Sequence, residues 1–299
     1  MKLIRPTTVK ELLNLIKYKG SIAGNSNTPI IGVNDDFFSA DYDLTWATSA
    51  SMLNTLLNRN IPLTVITNKK KNPKNDNIVI IYADNPLELF DRCISSLFII
   101  EEKQPIIGAN SVIHESAIIC NNVIIGSNCS IGPNVVIYEN TTIGDNVTIS
   151  ANSVIGATPF YSLRDDSMSF ADRQVIGNVS IDDNIRIGAS CVIDKGIVGT
   201  THIGHDTRIG NLVEIGHDVR IGSFCSLAAQ VAIAGYVEIG NYCRFWGRAG
   251  VINRIRIAAN TNVCANSVVT KHTHEGDDLC GFPAIDRIKF WRVLTHLKC

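Results

Sequence analysis

The chain has 299 residues, with 27 Lys and Arg against 28 Asp and Glu, so its formal net charge is −1. A nucleic-acid-binding protein would usually carry a basic excess or a basic stripe, and the sequence shows neither. No charged-then-apolar leader is present, and no apolar run approaches the roughly 18 residues of a membrane span. These features predict a cytoplasmic protein that does not span a membrane and does not bind nucleic acid.

The nine cysteines are an odd and high number for a chain of this length. Cys129, Cys191, Cys225 and Cys243 share the small-residue position of a repeat described below. The sequence has no CxxC pair, which is the usual signature of a structural zinc site. We therefore expect reduced thiols and no bound metal.

Residues 1–104 lack that repeat and are predicted to form a small α/β domain. Thr8 and Glu11 fit a capping box that opens an amphipathic helix. Asn85 and Pro86 fit the N-cap and first position of a second helix. Strand-like runs lie between them, at 29–33, 63–67 and 78–83.

A hexapeptide repeat dominates the rest of the sequence. An aliphatic or aromatic residue falls on every sixth position from Ile107 to Ile155, from Val175 to Ile193 and from Ile203 to Val269. A period of six fits a short strand followed by a turn, with the apolar residue pointing inward. Such arrays form parallel β-helices. Three sides per coil give about 18 residues a coil and about eight coils.

Two interruptions break this rhythm, at residues 156–174 and 194–202. An inert solenoid needs no interruptions, whereas loops that leave a solenoid often carry its function. We place the β-helix domain at 105–284. The segment 285–299 is predicted to be a short amphipathic helix, beginning near Ile285 and ending near Leu297.

Six histidines of the repeat region are candidates for a general base, which is the group most acyl transfers need near neutral pH. They are His114, His202, His205, His217, His272 and His274. A coil of about 18 residues stacks His217 on Gly235 and then on Asn253. A His with a Gly one strand spacing away, about 4.8 Å, predicts a base beside a backbone N–H that can stabilise an oxyanion. The column of His205 holds Ser223 and Asn241 instead, so His217 is the favoured base.

The stretch 105–292 resembles the UDP-3-O-acylglucosamine N-acyltransferases of lipid A biosynthesis. Their Ile-Asp-Arg-Gly motif appears as Ile193-Asp194-Lys195-Gly196, and their Asp-Asn-x-x-x-Ile-Ala-His-Asn motif appears as Gly210-Asn211-Leu-Val-Glu-Ile-Gly-His217-Asp218. The Ala-Gly before the next strand appears as Ala234-Gly235, and the late Ser-Gly-x-Pro…Trp-Arg as Cys280-Gly281-Phe-Pro283…Trp291-Arg292.

The resemblance implies a mainly β fold, with a left-handed parallel β-helix, an N-terminal nucleotide-binding domain and a homotrimer. It implies that His217 is the base and that Gly235 supplies the oxyanion N–H. It places Asp194, Asn211 and Asn253 among the substrate-binding residues. The N-terminal segment is similar too, through Ile31-Gly-Val33, Asp43-Leu-Thr-Trp46 and Asn85-Pro86. This similarity places Trp46 against the uracil ring of the nucleotide, with a buried core Trp as the alternative.

The sequence departs from the family at several substrate positions. In the family a second aromatic residue packs on the uracil ring, and its position holds Met52 here. The position of a second family histidine holds Arg254. A Gly-rich loop has become Gly156-Ala-Thr-Pro-Phe160-Tyr161. We expect Phe160, Tyr161 and Arg254 to contact substrate, and Arg254 could pair with a phosphate.

The main functional hypothesis is an N-acyltransferase that acts on a nucleotide-linked amino sugar of a surface polysaccharide. The alternative is the lipid A enzyme with a 3-hydroxyacyl carrier protein as its donor. More distant alternatives are an O-acyltransferase, a non-enzymatic β-helix and a carbonic anhydrase, for which His202 and His205 are the only hint. No cofactor is expected, because acyl-CoA or acyl carrier protein would be a co-substrate.

Overall fold

The structure is a computed structural model that describes residues 2–34, 39–59, 61–73, 76–97, 102–160, 162–164, 170–172 and 174–296. Two compact units make up the chain. Unit 1 comprises Met1–Glu101 and Tyr161–Ile176, and unit 2 comprises Glu102–Phe160 and Gly177–Cys299. Most of the first interruption of the repeat, from Tyr161 onward, therefore groups with unit 1, and the next strand of the solenoid is Asn178–Ile181.

Unit 1 is built on a six-stranded sheet in the order β1-β3-β4-β5-β6-β2. The central strands β3 to β6 run parallel, and the two edge strands are antiparallel to them. The strands are β1 (Lys2–Thr8), β2 (Ile22–Ala23), β3 (Pro29–Val33), β4 (Asp43–Ala47), β5 (Leu63–Thr67) and β6 (Ile78–Tyr82). The helices are α1 (Val9–Leu15), α2 (Ala50–Asn58) and α3 (Pro86–Leu97), and a hairpin of β16 (Ser162–Arg164) and β17 (Phe170–Asp172) follows later in the chain.

Both helix starts that the sequence predicts within residues 1–104 are confirmed. The Thr8 hydroxyl accepts the Glu11 N–H at 3.2 Å, and the Glu11 carboxylate accepts the Thr8 N–H at 2.8 Å. Asn85 Oδ1 accepts the Glu88 N–H at 3.2 Å. The sequence did not assign β4, because all five of its residues are buried and a strand buried on both faces shows no alternation.

Unit 2 consists of three parallel sheets that share one apolar core. The first sheet contains β7 (Ile106–Ile107), β10 (Ile124–Ile125), β13 (Thr142–Ile143), β18 (Asn178–Ile181), β21 (Thr200–Ile203), β24 (Arg220–Ile221), β27 (Glu238–Ile239) and β30 (Arg256–Ile257). The second contains β8 (Val112–Ile113), β11 (Ser130–Ile131), β14 (Thr148–Ile149), β19 (Arg186–Ile187), β22 (Arg208–Ile209), β25 (Ser226–Leu227), β28 (Arg244–Phe245), β31 (Asn262–Val263) and β33 (Asp278–Cys280), with β34 (Ile285–Asp286) antiparallel at its end. The third contains β9 (Ile118–Ile119), β12 (Val136–Ile137), β15 (Val154–Ala157), β20 (Val192–Asp194), β23 (Glu214–Ile215), β26 (Ala232–Ile233), β29 (Gly250–Val251) and β32 (Val268–Val269).

The register confirms the coil length that the period predicts. Ile215 pairs with Ile233, and Ile233 pairs with Val251, each one coil further along the chain. From the second coil onward, the second residue of each two-residue strand in the coils points inward, so these residues stack in columns and are almost fully buried. Within the columns of small residues, Cys129, Cys191, Cys225 and Cys243 are buried free thiols, as the sequence predicts.

Left-handed backbone at the corners lets the chain turn between sheets. Asn occupies many of these positions, for example Asn128, Asn134 and Asn146, with φ between 55° and 58°. Asn tolerates this region better than most residues do. Bulkier residues adopt it as well, among them Leu212 and Tyr236, with φ of 58° and 61°.

The C-terminal helix α4 spans Arg287–His296 and begins two residues later than the sequence predicts. Ile285 and Asp286 form β34 instead, and Asp286 Oδ1 accepts the Lys289 N–H at 3.1 Å, which caps the helix. Leu297, the predicted end, lies outside the described residues. None of the described helices is both long and apolar enough to cross a membrane.

Candidate active site

His217 lies at the corner that follows β23, and its side chain is 13% exposed. Its Nδ1 is 3.1 Å from Asp218 Oδ2. The Asp218 carboxylate is 1% exposed and also accepts the N–H groups of Ile197 at 2.8 Å and Gly199 at 3.1 Å. Because the Asp218 carboxylate can only accept hydrogen bonds, the neutral His217 ring carries its proton on Nδ1, and Nε2 is the ring nitrogen that can accept a proton.

The second interruption of the repeat supplies the N–H groups that hold Asp218. Residues 194–202 bring Ile197 and Gly199 onto its carboxylate, and the Thr201 hydroxyl accepts the Asp218 N–H at 2.9 Å. Gly196 allows this approach, because a Cβ there would lie 2.6 Å from Asp218 Oδ1. Asp218 was not predicted as the partner of His217. The sequence holds only a weak signal for it, since Asp also follows His205 in the other Gly-His-Asp.

Gly235 lies beneath the imidazole of His217, as the coil length predicts. The Tyr236 N–H donates to the His217 carbonyl at 3.0 Å, and the Arg254 N–H donates to the Gly235 carbonyl at 3.1 Å. A Cβ on Gly235 would lie 2.5 Å from His217 Nε2, which is too close for any side chain. The His217 ring therefore approaches residue 235 this closely only because that residue is Gly.

The Tyr236 ring contacts the His217 imidazole, and Arg254 in turn packs on Tyr236. The Tyr236 ring meets the His217 ring edge-on, with centroids 4.7 Å apart, and the Arg254 guanidinium lies 4.3 Å from the Tyr236 centroid. Cation–π contacts of this kind stabilise by about 0.5–1 kcal/mol at exposed sites. Arg254 thus contacts the Tyr236 ring, and its contact with a substrate phosphate stays a prediction.

A cleft of about 570 Å³ opens beside His217 and Gly235. Three further residues that the sequence predicts for the site, Phe160, Asp194 and Asn253, line it. Phe160 is 92% exposed, so its ring is available to a ligand. The remaining walls are mostly small or aliphatic, with Gly216, Ala232, Ile233, Ala234, Gly250, Val251, Ile252 and Val268, together with the carboxylate residue Glu214.

Glu214 is an ionisable residue of the cleft that the sequence did not predict for the site. It occupies the outward position of β23, and its strand partner is Val192 on β20, the strand that ends at Asp194. The pKa of Asp194 is raised to about 6, chiefly by burial and also by the Glu214 carboxylate, whereas His217 lowers it. Asp194 therefore lies within electrostatic reach of both Glu214 and the base.

Asn211 and Trp46, two predicted site residues, lie elsewhere. Asn211 is exposed at another corner, where its Oδ1 accepts the Ala189 N–H at 2.8 Å, and it does not line the cleft. Trp46 lies in β4 and is 6% exposed, which favours its alternative role as a core residue. Its stacking on the uracil ring of a nucleotide stays a prediction. Tyr161 lies outside the described residues.

His205, the other candidate general base, lacks the buried carboxylate partner that His217 has. Its side chain is 48% exposed and its Nδ1 bonds to the part-exposed Asp206 at 2.9 Å. Its ring contacts Phe224, with centroids 4.9 Å apart. His202 bonds to Asp182 at 3.1 Å, and no group of three metal-binding side chains occurs among the residues that the structure describes.

Comparison with known proteins supports the fold independently. Residues 122–157 match the family model "Bacterial transferase hexapeptide (six repeats)". A UDP-N-acetylglucosamine acyltransferase from Campylobacter jejuni aligns with 64% of this chain and 77% of its own, with a TM-score of 0.56 and 22% identity. Another from Bacteroides fragilis aligns with 66% and 75%, with a TM-score of 0.54 and 23% identity. At these identities the likeness shows the fold, which is the left-handed β-helix.

Curated relatives extend the likeness to sequence. A probable mitochondrial UDP-3-O-acylglucosamine N-acyltransferase 2 from Arabidopsis thaliana is 39% identical over 115 residues, 38% of each chain. A UDP-3-O-acylglucosamine N-acyltransferase from Caulobacter sp. (strain K31) is 35% identical over 113 residues, 38% of this chain and 33% of its own. The match thus spans little more than a third of these relatives. The chain is a hexapeptide-repeat protein with a left-handed parallel β-helix, and its sequence resembles the UDP-3-O-acylglucosamine N-acyltransferases.

Proposed function

We propose that this chain is an N-acyltransferase that moves an acyl group from a carrier thioester to the amine of a UDP-linked 3-O-acylglucosamine. The observation that carries the proposal is the position of His217 Nε2, held by Asp218 and lying directly over Gly235 in an open cleft. The names of the curated relatives favour this lipid A substrate over the polysaccharide amino sugar of our main sequence hypothesis.

The proposed reaction needs one proton acceptor and one oxyanion donor. As the amine nitrogen forms a bond to the thioester carbon, His217 Nε2 takes one proton from that nitrogen. The carbonyl oxygen becomes an oxyanion that accepts a hydrogen bond from the Gly235 N–H. The C–S bond then breaks, and the departing thiolate takes the proton back from the imidazolium. The products are an amide and a free thiol, and the base is regenerated.

Asp218 has a positioning role in this scheme. It fixes the tautomer with Nε2 unprotonated, and it stabilises the imidazolium that forms during attack. Its burial prevents water from competing for the Nδ1 proton. The small side chains of Ala232 and Gly250 leave room beside the base for the reacting groups.

The experiment is an acyl-transfer assay with UDP-3-O-acylglucosamine and matched 3-hydroxyacyl donors on acyl carrier protein and on CoA. The matched variants are His217→Ala and His205→Ala, because both histidines follow a Gly and precede an Asp at a corner. His217→Ala should lower kcat about 10²–10⁴-fold with the fold intact, whereas His205→Ala should retain turnover. Near-normal turnover by His217→Ala would refute the assignment, and inactivity of the wild type with both donors would refute the function.

A further inference from the structure

The cleft beside His217 has an acidic wall. Among the described lining residues, Asp194 and Glu214 are the charged groups, and none is Lys or Arg. The nearest lysine in sequence, Lys195, pairs with Glu139 at 2.7 Å instead. A ligand atom next to His217 therefore meets two carboxylates.

Adjacent strands fix the positions of these two carboxylates. Asp194 ends β20 and Glu214 opens β23, and these strands pair in parallel. The backbone N–H of Lys195, next to Asp194, donates to the Ala157 carbonyl at 3.0 Å, so the end of β20 is anchored. Within the described chain, neither carboxylate forms a hydrogen bond or an ion pair with a cation. Asp194 is partly buried, whereas Glu214 is exposed. A half-buried carboxylate without a counter-ion is costly, and a ligand cation would remove that cost at Asp194.

Amine and hydroxyl acceptors differ in the charge of the group that receives the acyl chain. An amino sugar carries an ammonium group near neutral pH, whereas a hydroxyl acceptor is neutral. Two carboxylates attract an ammonium through charge-assisted hydrogen bonds, which are about twice as strong as neutral ones. They offer no comparable advantage to a hydroxyl group.

We infer that Glu214, together with Asp194, binds the ammonium group of the acceptor and thereby makes this site selective for an amine over a hydroxyl. This inference rests on the proposed N-acyl transfer and names the residues that determine its acceptor specificity. The ammonium must release one proton to solvent before the neutral amine attacks. Glu214 therefore contributes to acceptor binding rather than to the chemical step.

A steady-state comparison tests this role. Glu214→Gln keeps the side-chain shape and removes the charge. It should raise KM for UDP-3-O-acylglucosamine about 10-fold and leave kcat within about 2-fold, because only the bound ammonium loses a partner. Glu238→Gln is the matched control, since Glu238 also precedes an inward Ile in a two-residue strand and pairs with Arg256 outside the cleft. It should behave as the wild type.

A neutral inhibitor separates charge recognition from general damage. The analogue with a hydroxyl in place of the amine should inhibit wild type and Glu214→Gln with the same inhibition constant. The inference fails if Glu214→Gln leaves KM for the amine unchanged, or if it weakens amine and hydroxyl ligands equally. Inactivity of the wild type on the amino sugar would instead overturn the proposed function itself.

Discussion

At the residue scale, the close packing of His217 on Gly235 makes the site sensitive to a single methyl group. Gly235→Ala would place a Cβ 2.5 Å from Nε2, so the imidazole must move. We expect kcat to fall at least about 10²-fold, because a base displaced by about 1 Å loses its alignment with the acceptor. Acyl-transfer kinetics on the purified variant measure this effect.

Gly247→Ala is the control for that substitution. A Cβ at Gly247 would meet only the Ala229 carbonyl oxygen, at 3.6 Å, which is ordinary contact. Its activity and thermal stability should match those of the wild type. Full activity of Gly235→Ala would show that the imidazole does not need its present position.

Asp194 provides a prediction about stability and pH. Its pKa in the folded protein is raised from 3.8 to about 6, so the folded state binds its proton more tightly than the unfolded state does. The ionised Asp194 carboxylate therefore destabilises the folded state. This destabilisation is absent below about pH 4, develops as pH rises and is complete above about pH 6. Asp194→Asn should therefore raise Tm at pH 7.5 and leave it unchanged at pH 4, as measured by thermal unfolding at both pH values.

The same substitution should weaken acceptor binding, because it removes one of the two carboxylates. A variant that is more stable at pH 7.5 but has a higher KM for the amino sugar would fit a site that sacrifices stability for function. An unchanged Tm at both pH values would show that the Asp194 carboxylate is well solvated in the folded protein.

At the element scale, the hexapeptide period was enough to predict the inward columns, the coil length and the stacking of His217 on Gly235. Each of these depends only on spacing along the chain. The role of Asp218 depends on backbone N–H groups from residues 194–202, whose path no periodicity describes. Glu214 was missed for a similar reason, since outward positions have the same sequence pattern whether they face a cleft or open solvent.

The N-terminal unit shows a different limit. Resemblance placed Trp46 at a ligand, whereas its burial in the centre of a parallel sheet depends on which neighbours cover both faces. The helix starts at Thr8 and Asn85 were predictable, because caps are local hydrogen bonds between residues three positions apart.

The corner residues of the solenoid yield a stability prediction. Leu212 adopts φ of 58° and is 55% exposed, so it accepts a left-handed conformation and buries little in return. Leu212→Asn should raise the free energy of unfolding by about 1 kcal/mol, because Asn tolerates this region. Denaturant titration at fixed protein concentration measures it.

Val112→Asn is the control for this effect. Val112 is 68% exposed but lies in strand β8, where Asn has no conformational advantage. It should give no gain. Equal changes in the two variants would mean that surface polarity, rather than backbone conformation, decides the outcome.

At the scale of the whole molecule, we predict the homotrimer that the resemblance implies. The cleft beside His217 is open, and Phe160 on its wall is 92% exposed, so a neighbouring chain could complete the site. Light scattering should give three times the chain mass of 32.6 kDa at micromolar concentration. A single chain mass under those conditions would exclude a site shared between subunits.

The stacking of coils in unit 2 also determines how this β-helix comes apart. Each coil forms hydrogen bonds only with the coils before and after it. The protection of its amides from hydrogen exchange therefore depends on whether these neighbouring coils are folded. The opening coil has a neighbour on one side within its sheet, and Ile107 is 47% exposed, whereas Ile125 and Ile143 in the next coils are 1% exposed. Amide hydrogen exchange should therefore be fastest around residues 106–119 and slow progressively toward the middle of the stack, where the base is held. Uniform exchange along the stack would instead indicate a single all-or-none opening.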